Sequence, residues 1–317
     1  MSAPRRVSVA IPVYNEEAVL PQLLARVRAV LDGVPGGPHE LVFVDDGSRD
    51  GTRAMLEAEA RRDPRMVVVA LSRNFGHQAA LSAAFDVVRG DCVLAMDADL
   101  QDAPEALPLL LARLDEGFDV VYVRRVARKE TWWKRVSYHA AYRLISRMSD
   151  IDLPVDAGDF ALMSRRVLEH VRSLPERERY LRGLRSWVGF RQASIEVARA
   201  ERAAGDSKYS LTKLLRLALD GAFAFSVVPL RFTAVLGFAA MTGSGLFTLY
   251  AVYAKLVLGQ SPQGFTAVIA LLTFLSGTIL ISLWIIGEYL GRVYEEVKRR
   301  PIYIVDAITR GSDIRSP

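Results

Sequence analysis

The sequence predicts an α/β domain built on a mainly parallel sheet, followed by two membrane-spanning helices. Three observations predict it. Strand-like and helix-like segments alternate through residues 1–124, which implies parallel strands with helices on both faces. Two long runs near the C-terminus carry no charge. A hydrophobic content of 51% coexists with 24% charged residues and a mean hydropathy of +0.16, a mixture that suggests a soluble part joined to a membrane part.

The elements follow in order. "RVSVAIPV" reads as a buried strand. From Glu16 to Leu31 the apolar residues Val19, Leu20, Leu23, Leu24, Val27, Val30 and Leu31 fall at helical spacing. "HELVFVDD" and "MVVVALS" are strands, separated by the polar-capped helix "SRDGTRAMLEAEARR". "HQAALSAAFDVVRG" is a helix, "DCVLAMD" a fourth strand, "APEALPLLLARLDEG" a helix and "FDVVYVRR" a fifth strand. "TWWKRVSYHAAYRLISRM" is either a surface helix packed on the domain or a helix in a membrane interface, with Trp and Arg at headgroup level. Phe232–Ala254 and Gly264–Gly287 are 23 and 24 uncharged residues. At about 1.5 Å per residue each can cross a hydrocarbon core of about 30 Å. Cations are richer outside the pair (Lys208, Lys213, Arg216, Arg231; Arg292, Lys298, Arg299, Arg300) than in the turn. That distribution predicts cytoplasmic termini. "MSAPRRVSVAIPVYNEE" has no apolar leader, so the N-terminal part is expected in the cytosol.

The net charge of +5 fits an anionic partner: nucleic acid, a phospholipid surface or a phosphorylated substrate. Cys92 stands alone, which excludes an internal disulfide or a cysteine-based zinc site. It reads as a small core residue.

Three polar clusters end predicted strands: "PVYNEE", "DDGSRDG" and "DADLQD". Ligands of such sheets bind beyond the carboxyl ends of the strands. The acids Asp97, Asp99 and Asp102 admit three readings. They can be a polar turn opening a helix. An EF-hand calcium loop fails where Asp102 replaces the required Gly and Pro108 the closing Glu. An open site for a hard divalent cation relieves the repulsion among them. Asp45 and Asp46 at a strand end suit a base N–H or ribose hydroxyls. No GxGxxG or Walker A pattern occurs, which disfavours a dinucleotide or P-loop site. His77 reads as a capping or packing residue at a helix start, and Asp156 and Asp159 as turn residues.

"IPVYNEE", "VDDGSRDGT" and "MDADLQD" resemble glycosyltransferase family 2 with its GT-A fold. "NFGHQAAL", "GDFALMSRR", "YLRGLRSWVGFRQ", "RAAGDSKYSLTKL" and "GEYLGRVYEEVKRRPIYIV" resemble its bacterial polyprenyl-phosphate members, the bactoprenol glucosyltransferases and, more distantly, dolichyl-phosphate mannose synthase. The resemblance spans nearly the whole chain. It implies a GT-A catalytic domain over 1–205, with 131–148 as the interfacial-helix segment, a juxtamembrane amphipathic stretch at 206–231, a two-helix hairpin at 232–290 and a cytosolic tail at 291–317.

The resemblance also assigns residues. Pro12, Tyr14 and Glu16 line the nucleotide pocket, with Phe43 and Asp45 near the base. Asp97, Ala98 and Asp99 surround the diphosphate. Asp99 and Gln101, with Asp97, hold Mg2+ or Mn2+. Arg125 meets phosphates, with Arg124 adjacent. Arg202 and Lys208 close over the diphosphate. Arg124, Arg128, Lys134 and Asp159 are the acceptor-phosphate set. The implied reaction is inverting transfer of one sugar, UDP-glucose favoured, to undecaprenyl phosphate at the cytoplasmic face of a bacterial inner membrane. A GDP-mannose-dependent mannose synthase, or transfer to a lipid hydroxyl of the diacylglycerol type, are the alternatives. Trp187 does not follow Arg185 directly, unlike the QxxRW signature of processive synthases, which favours single-sugar transfer. No nucleic-acid partner is expected. "PIYIVDAI" is a segment able to add a strand to a neighbour's sheet in a homo-oligomer.

Overall fold

The computed structural model describes residues 4–126, 157–177, 179–198, 228–257, 259, 264–311 and 313–315. The expectations for 131–148, for the stretch preceding Val228, and for Arg128, Lys134, Arg202 and Lys208 lie outside these residues. Contacts divide the chain into two compact units. One takes in 1–139, 151–209 and 300–317; the other takes in 140–150 and 210–299.

The first unit is built on β1 (Val7–Val13), β2 (Glu40–Asp45), β3 (Met66–Leu71), β4 (Cys92–Ala95), β5 (Val120–Val126), β6 (Ala157–Ser164), β7 (Gln192–Ala198), β8 (Val305–Arg310) and β9 (Asp313–Arg315). These form one sheet in the order β7-β5-β6-β4-β1-β2-β3-β8-β9. β1, β2, β3 and β4 run parallel. Every residue of these four is buried, as expected of parallel strands covered on both faces. That burial explains why they are written mostly in Val, Ile, Leu and Ala, and Cys92 is among the buried residues.

The covering helices are α1 (Leu20–Asp32), α2 (Thr52–Arg62), α3 (His77–Val87) and α4 (Leu107–Asp115), then α5 (Arg165–Ser173) and α6 (Leu181–Trp187). α1 buries Leu20, Leu23, Leu24, Val27 and Leu31, the predicted stripe. α2 starts where the Thr52 N–H donates to Asp50 Oδ1 at 3.0 Å, so Asp50 supplies the polar cap read from the sequence.

The sheet is mainly parallel as expected, β5 and β7 pairing parallel as well, and the first difference is a strand that runs against its neighbours. β6 inserts between β4 and β5 and runs antiparallel to both. This decides the site, because an antiparallel neighbour begins at the edge where a parallel strand ends. Ala161 pairs with Ala95, so Asp159, two residues earlier, lies at the same edge as Asp97. Arg124 pairs with Ala157 and reaches that edge too.

The second difference is the tail. β8 pairs antiparallel with the chain's own β3, from Val67–Arg310 to Leu71–Val305. The segment read as a strand for a neighbour therefore completes its own sheet. β3 would otherwise be an open edge of buried apolar residues, which folded proteins cover.

In the second unit, α7 (Val228–Val257) and α8 (Gly264–Lys298) pack on each other. They extend beyond the predicted uncharged runs, α8 by several polar residues. Leu230–Val257 and Leu271–Lys298 are long and apolar enough to cross a membrane, and only 6% of each apolar window is buried. Phe238, Leu246, Leu280 and Leu290 are each more than half exposed. Apolar helices with this much exposed surface are unlike the one-sided helices of a soluble core.

Candidate active site

A cleft of about 400 Å³ opens at the carboxyl ends of β1, β2 and β4. β1 and the residues after it contribute Pro12, Val13, Tyr14 and Glu16; Asp46 follows β2; Asn74 and Gly76 precede α3, and His77 and Ala80 lie in its first turn; Asp97, Ala98 and Asp99 follow β4. The three polar clusters therefore do converge on one edge.

The cleft walls are stitched by backbone N–H groups. The Asn15 N–H donates to Ser48 Oγ at 2.9 Å and Glu16 N–H to Thr52 Oγ1 at 2.9 Å, while Asn15 Oδ1 accepts from Arg49 N–H at 2.8 Å. "PVYNEE" and "DDGSRDGT" thus form one wall. Asp46 spends both carboxylate oxygens on the next, accepting from Phe75 N–H at 2.7 Å and Gly76 N–H at 2.9 Å. Gly47 makes this possible. Its φ is +70°, and a Cβ there would lie 2.6 Å from the Arg73 carbonyl carbon. Gly47→Ala should cost roughly 1–3 kcal/mol in backbone strain alone, with the steric clash added. A clear fall in melting temperature checks it; an unchanged melt contradicts it.

The acidic loop folds back on itself. The Gln101 N–H donates to Asp99 Oδ1 at 3.1 Å and the Asp97 N–H to Asp102 Oδ2 at 3.2 Å. Asp102 therefore closes the loop rather than capping the next helix, whose first turn, Pro104–Ala106, has no side-chain cap. Asp97 and Asp99 remain partly open at the cleft, whereas Gln101 is 8% exposed and is not a lining residue.

Beside Asp97 stands a small charged network. His77 Nε2 lies 3.5 Å from Asp97 Oδ1 and 3.7 Å from Asp159 Oδ2. Arg182, on α6, holds Asp159 through Nη2–Oδ2 at 3.3 Å and Nε–Oδ1 at 3.4 Å. Burial alone would raise the Asp159 carboxyl, but His77 and the Arg182 charge outweigh it and hold the group well below the usual carboxylate range. Burial would lower the His77 pKa; Asp159 and the charge of Asp97 outweigh that and raise it.

Of the residues singled out from the sequence, the structure brings Pro12, Tyr14, Glu16, Asp97, Ala98 and Asp99 to the cleft, with Asp159 alongside. It does not bring Phe43, which is fully buried in the core. Nor does it bring Asp45, buried and accepting from Ser48 N–H at 3.2 Å; alternation along β2 turns the next carboxylate, Asp46, to the cleft instead. Arg125 lies within β5, opposite Val197. Asn74, His77 and Arg182 were not singled out as site residues. Their partners lie in other elements, and a lone His or Arg carries no local pattern.

The family model for glycosyl transferase family 2 matches residues 8–172. An uncharacterized glycosyltransferase of Bacillus subtilis, YkcC, is 42% identical over 96% of this chain and 94% of its own length. The SfII prophage-derived bactoprenol glucosyl transferase of Shigella flexneri is 38% identical over 97% of this chain and 99% of that protein. Among solved structures, glucosyl-3-phosphoglycerate synthase of Mycobacterium tuberculosis matches with a TM-score of 0.47 at 22% identity, over 69% of this chain and 79% of that one. The chain belongs to glycosyl transferase family 2. The mixed α/β unit is the GT-A fold expected of it, and the resemblance to the bactoprenol glucosyltransferases is borne out along nearly the full length.

Proposed function

We propose that this glycosyltransferase moves a single sugar from a nucleotide sugar, UDP-glucose favoured, to polyprenyl phosphate at the cytoplasmic face of a bacterial inner membrane, with inversion at the anomeric carbon. The supporting observation is the similarity to a bactoprenol glucosyl transferase over 97% of the chain, which takes in the two long apolar helices as well as the cleft. Pro12, Tyr14, Glu16 and Ala98 suit the donor nucleotide. Arg124 suits the acceptor phosphate, and Asp159, at the same sheet edge, borders its place. Residues 1–205 form the catalytic domain in this reading. The helices anchor the chain in the membrane that carries the lipid acceptor.

The donor set suits a divalent cation. Asp97 and Asp99 present hard oxygens to one cleft, and magnesium commonly takes one or two protein carboxylates together with substrate phosphates. Among the described residues no group of three or more acidic, His or Cys side chains is placed to hold a metal ion by itself, so those phosphates would complete the shell. When bound, such a cation offsets charge on the departing nucleoside diphosphate. The chain's own residues bind and orient. A phosphate acceptor is already anionic near neutral pH, so positioning and charge stabilisation carry more of the work than a strong base.

The test is a screen of purified protein with UDP-glucose, GDP-mannose and UDP-N-acetylglucosamine, offering undecaprenyl phosphate and diacylglycerol side by side. Glucose on undecaprenyl phosphate is the expected product; transfer to diacylglycerol alone overturns the proposal. EDTA is expected to stop transfer, and added Mg2+ or Mn2+ to restore it. Turnover indifferent to chelation removes the cation from the account.

A further inference from the structure

Arg185 sits on α6, almost one turn after Arg182. It is 4% exposed, and its Nε and Nη2 make no hydrogen bond. Burying a guanidinium in this state costs several kcal/mol unless something compensates it. The Tyr122 ring, 5.5 Å away, offers a cation–π contact but no hydrogen-bond acceptor in the plane of the fork. Burial pulls the Arg185 pKa down to about 10, so the group stays charged at neutral pH. Asp159 attracts it and Arg182 repels it. Both oxygens of Asp159 are engaged by Arg182, and neither bonds the two unpartnered nitrogens of Arg185.

The neighbourhood connects to the cleft. His77 lines the cleft and approaches Asp159. The Arg182 side chain is 23% exposed while Arg185 is enclosed, so an entering group meets Arg182 first. None of Asp159, Arg182 and Arg185 lines the cleft itself. A group bound there stands beside the donor rather than in its place.

We infer that Arg185 and Arg182 form an anion subsite next to His77 and Asp159 that takes the phosphate of the lipid acceptor, whose oxygens supply the hydrogen-bond acceptors Arg185 lacks. This rests on the reading of the protein as a polyprenyl-phosphate transferase. Planar guanidinium forks suit phosphate oxygens, and the charge-assisted bonds they make are the strong ones. Asp159, the nearby anion, occupies Arg182 until the phosphate arrives.

The full-length protein in detergent is titrated with farnesyl phosphate and, separately, with UDP. Arg185→Met should weaken farnesyl phosphate binding about 10-fold or more, the worth of a charged hydrogen bond, and leave UDP binding unchanged. Arg185→Lys should recover part of the loss. Asp159→Asn, which removes the competing anion, should tighten farnesyl phosphate binding, an effect that a merely structural Arg185 would not produce. Equal farnesyl phosphate affinity in Arg185→Met and wild type overturns the inference. So does a parallel loss of UDP affinity, which assigns Arg185 to the donor diphosphate. Should Arg185→Met fail to fold, Asp159→Asn decides: unchanged or weaker binding overturns the subsite. Wild-type protein that binds farnesyl phosphate in this pattern yet transfers no sugar to undecaprenyl phosphate leaves the subsite standing and removes the transferase reading.

Discussion

Asp99→Asn is expected to reduce sugar transfer about 100-fold or more while leaving the fold intact. The substitution keeps the shape of the side chain and its Oδ1. The Gln101 N–H that donates to Asp99 at 3.1 Å therefore keeps an acceptor, and the loop that carries Asp97 keeps its turn. Only the negative charge is lost. In the proposed reaction that charge helps hold the cation beside the donor diphosphate, and a neutral amide oxygen is a poorer ligand for a hard ion. Transfer assays on variant and wild type, with melting curves in the same detergent, check the expectation. Near-normal turnover by a well-folded variant would falsify the assignment of Asp99.

The second large effect is expected from the tail. A chain ending at Arg300 should lose on the order of 3–5 kcal/mol, taking about 1 kcal/mol for each lost ladder hydrogen bond. That is a large part of the stability of an ordinary domain, and a fall in melting temperature of about 10 °C is expected. Truncation removes β8 from Val67–Leu71, all buried, and leaves an apolar parallel sheet with an open edge. It also removes the Ser72 N–H bond to Ile304 O at 2.9 Å and the Tyr303 hydroxyl bond to Asp86 Oδ2 at 2.5 Å. Asp306→Ala alone should matter little. Its ion pair with Arg53, 2.9 Å long, lies between half-exposed side chains, and such pairs contribute about 1 kcal/mol or less. A truncated protein that melts with the full-length chain would show that β8 is dispensable.

Local pattern made much of this legible. Strands buried on both faces must be written as apolar runs, so β1 to β4 could be read directly. The α1 stripe at helical spacing marks the face it buries. The uncharged stretches within α7 and α8 are too long for ordinary core helices. The site was legible where its residues cluster along the chain: Tyr14 with Glu16, and Asp97 with Asp99.

What escaped depends on pairing between distant segments. Nothing local to Ala157–Ser164 says that this strand inserts antiparallel between β4 and β5, yet that insertion carries Asp159 to the edge where Asp97 sits. Phe43 and Asp45 illustrate the same limit at smaller scale. The motif places them at a strand end, but the register of β2 within the sheet turns one side chain into the core and spends the other on a backbone N–H.

By itself, then, the sequence determined the α/β alternation, the two long apolar helices, the acidic loop and the family. Each is a consequence of local periodicity, composition or a contiguous motif. Only the tertiary structure decided that the tail closes the sheet beside β3, that His77 stands between Asp97 and Asp159, and that Arg185 is enclosed with unpartnered nitrogens. Those facts arise from strand pairing and burial, which are set by the packing of the whole domain and leave no mark on any short stretch of chain.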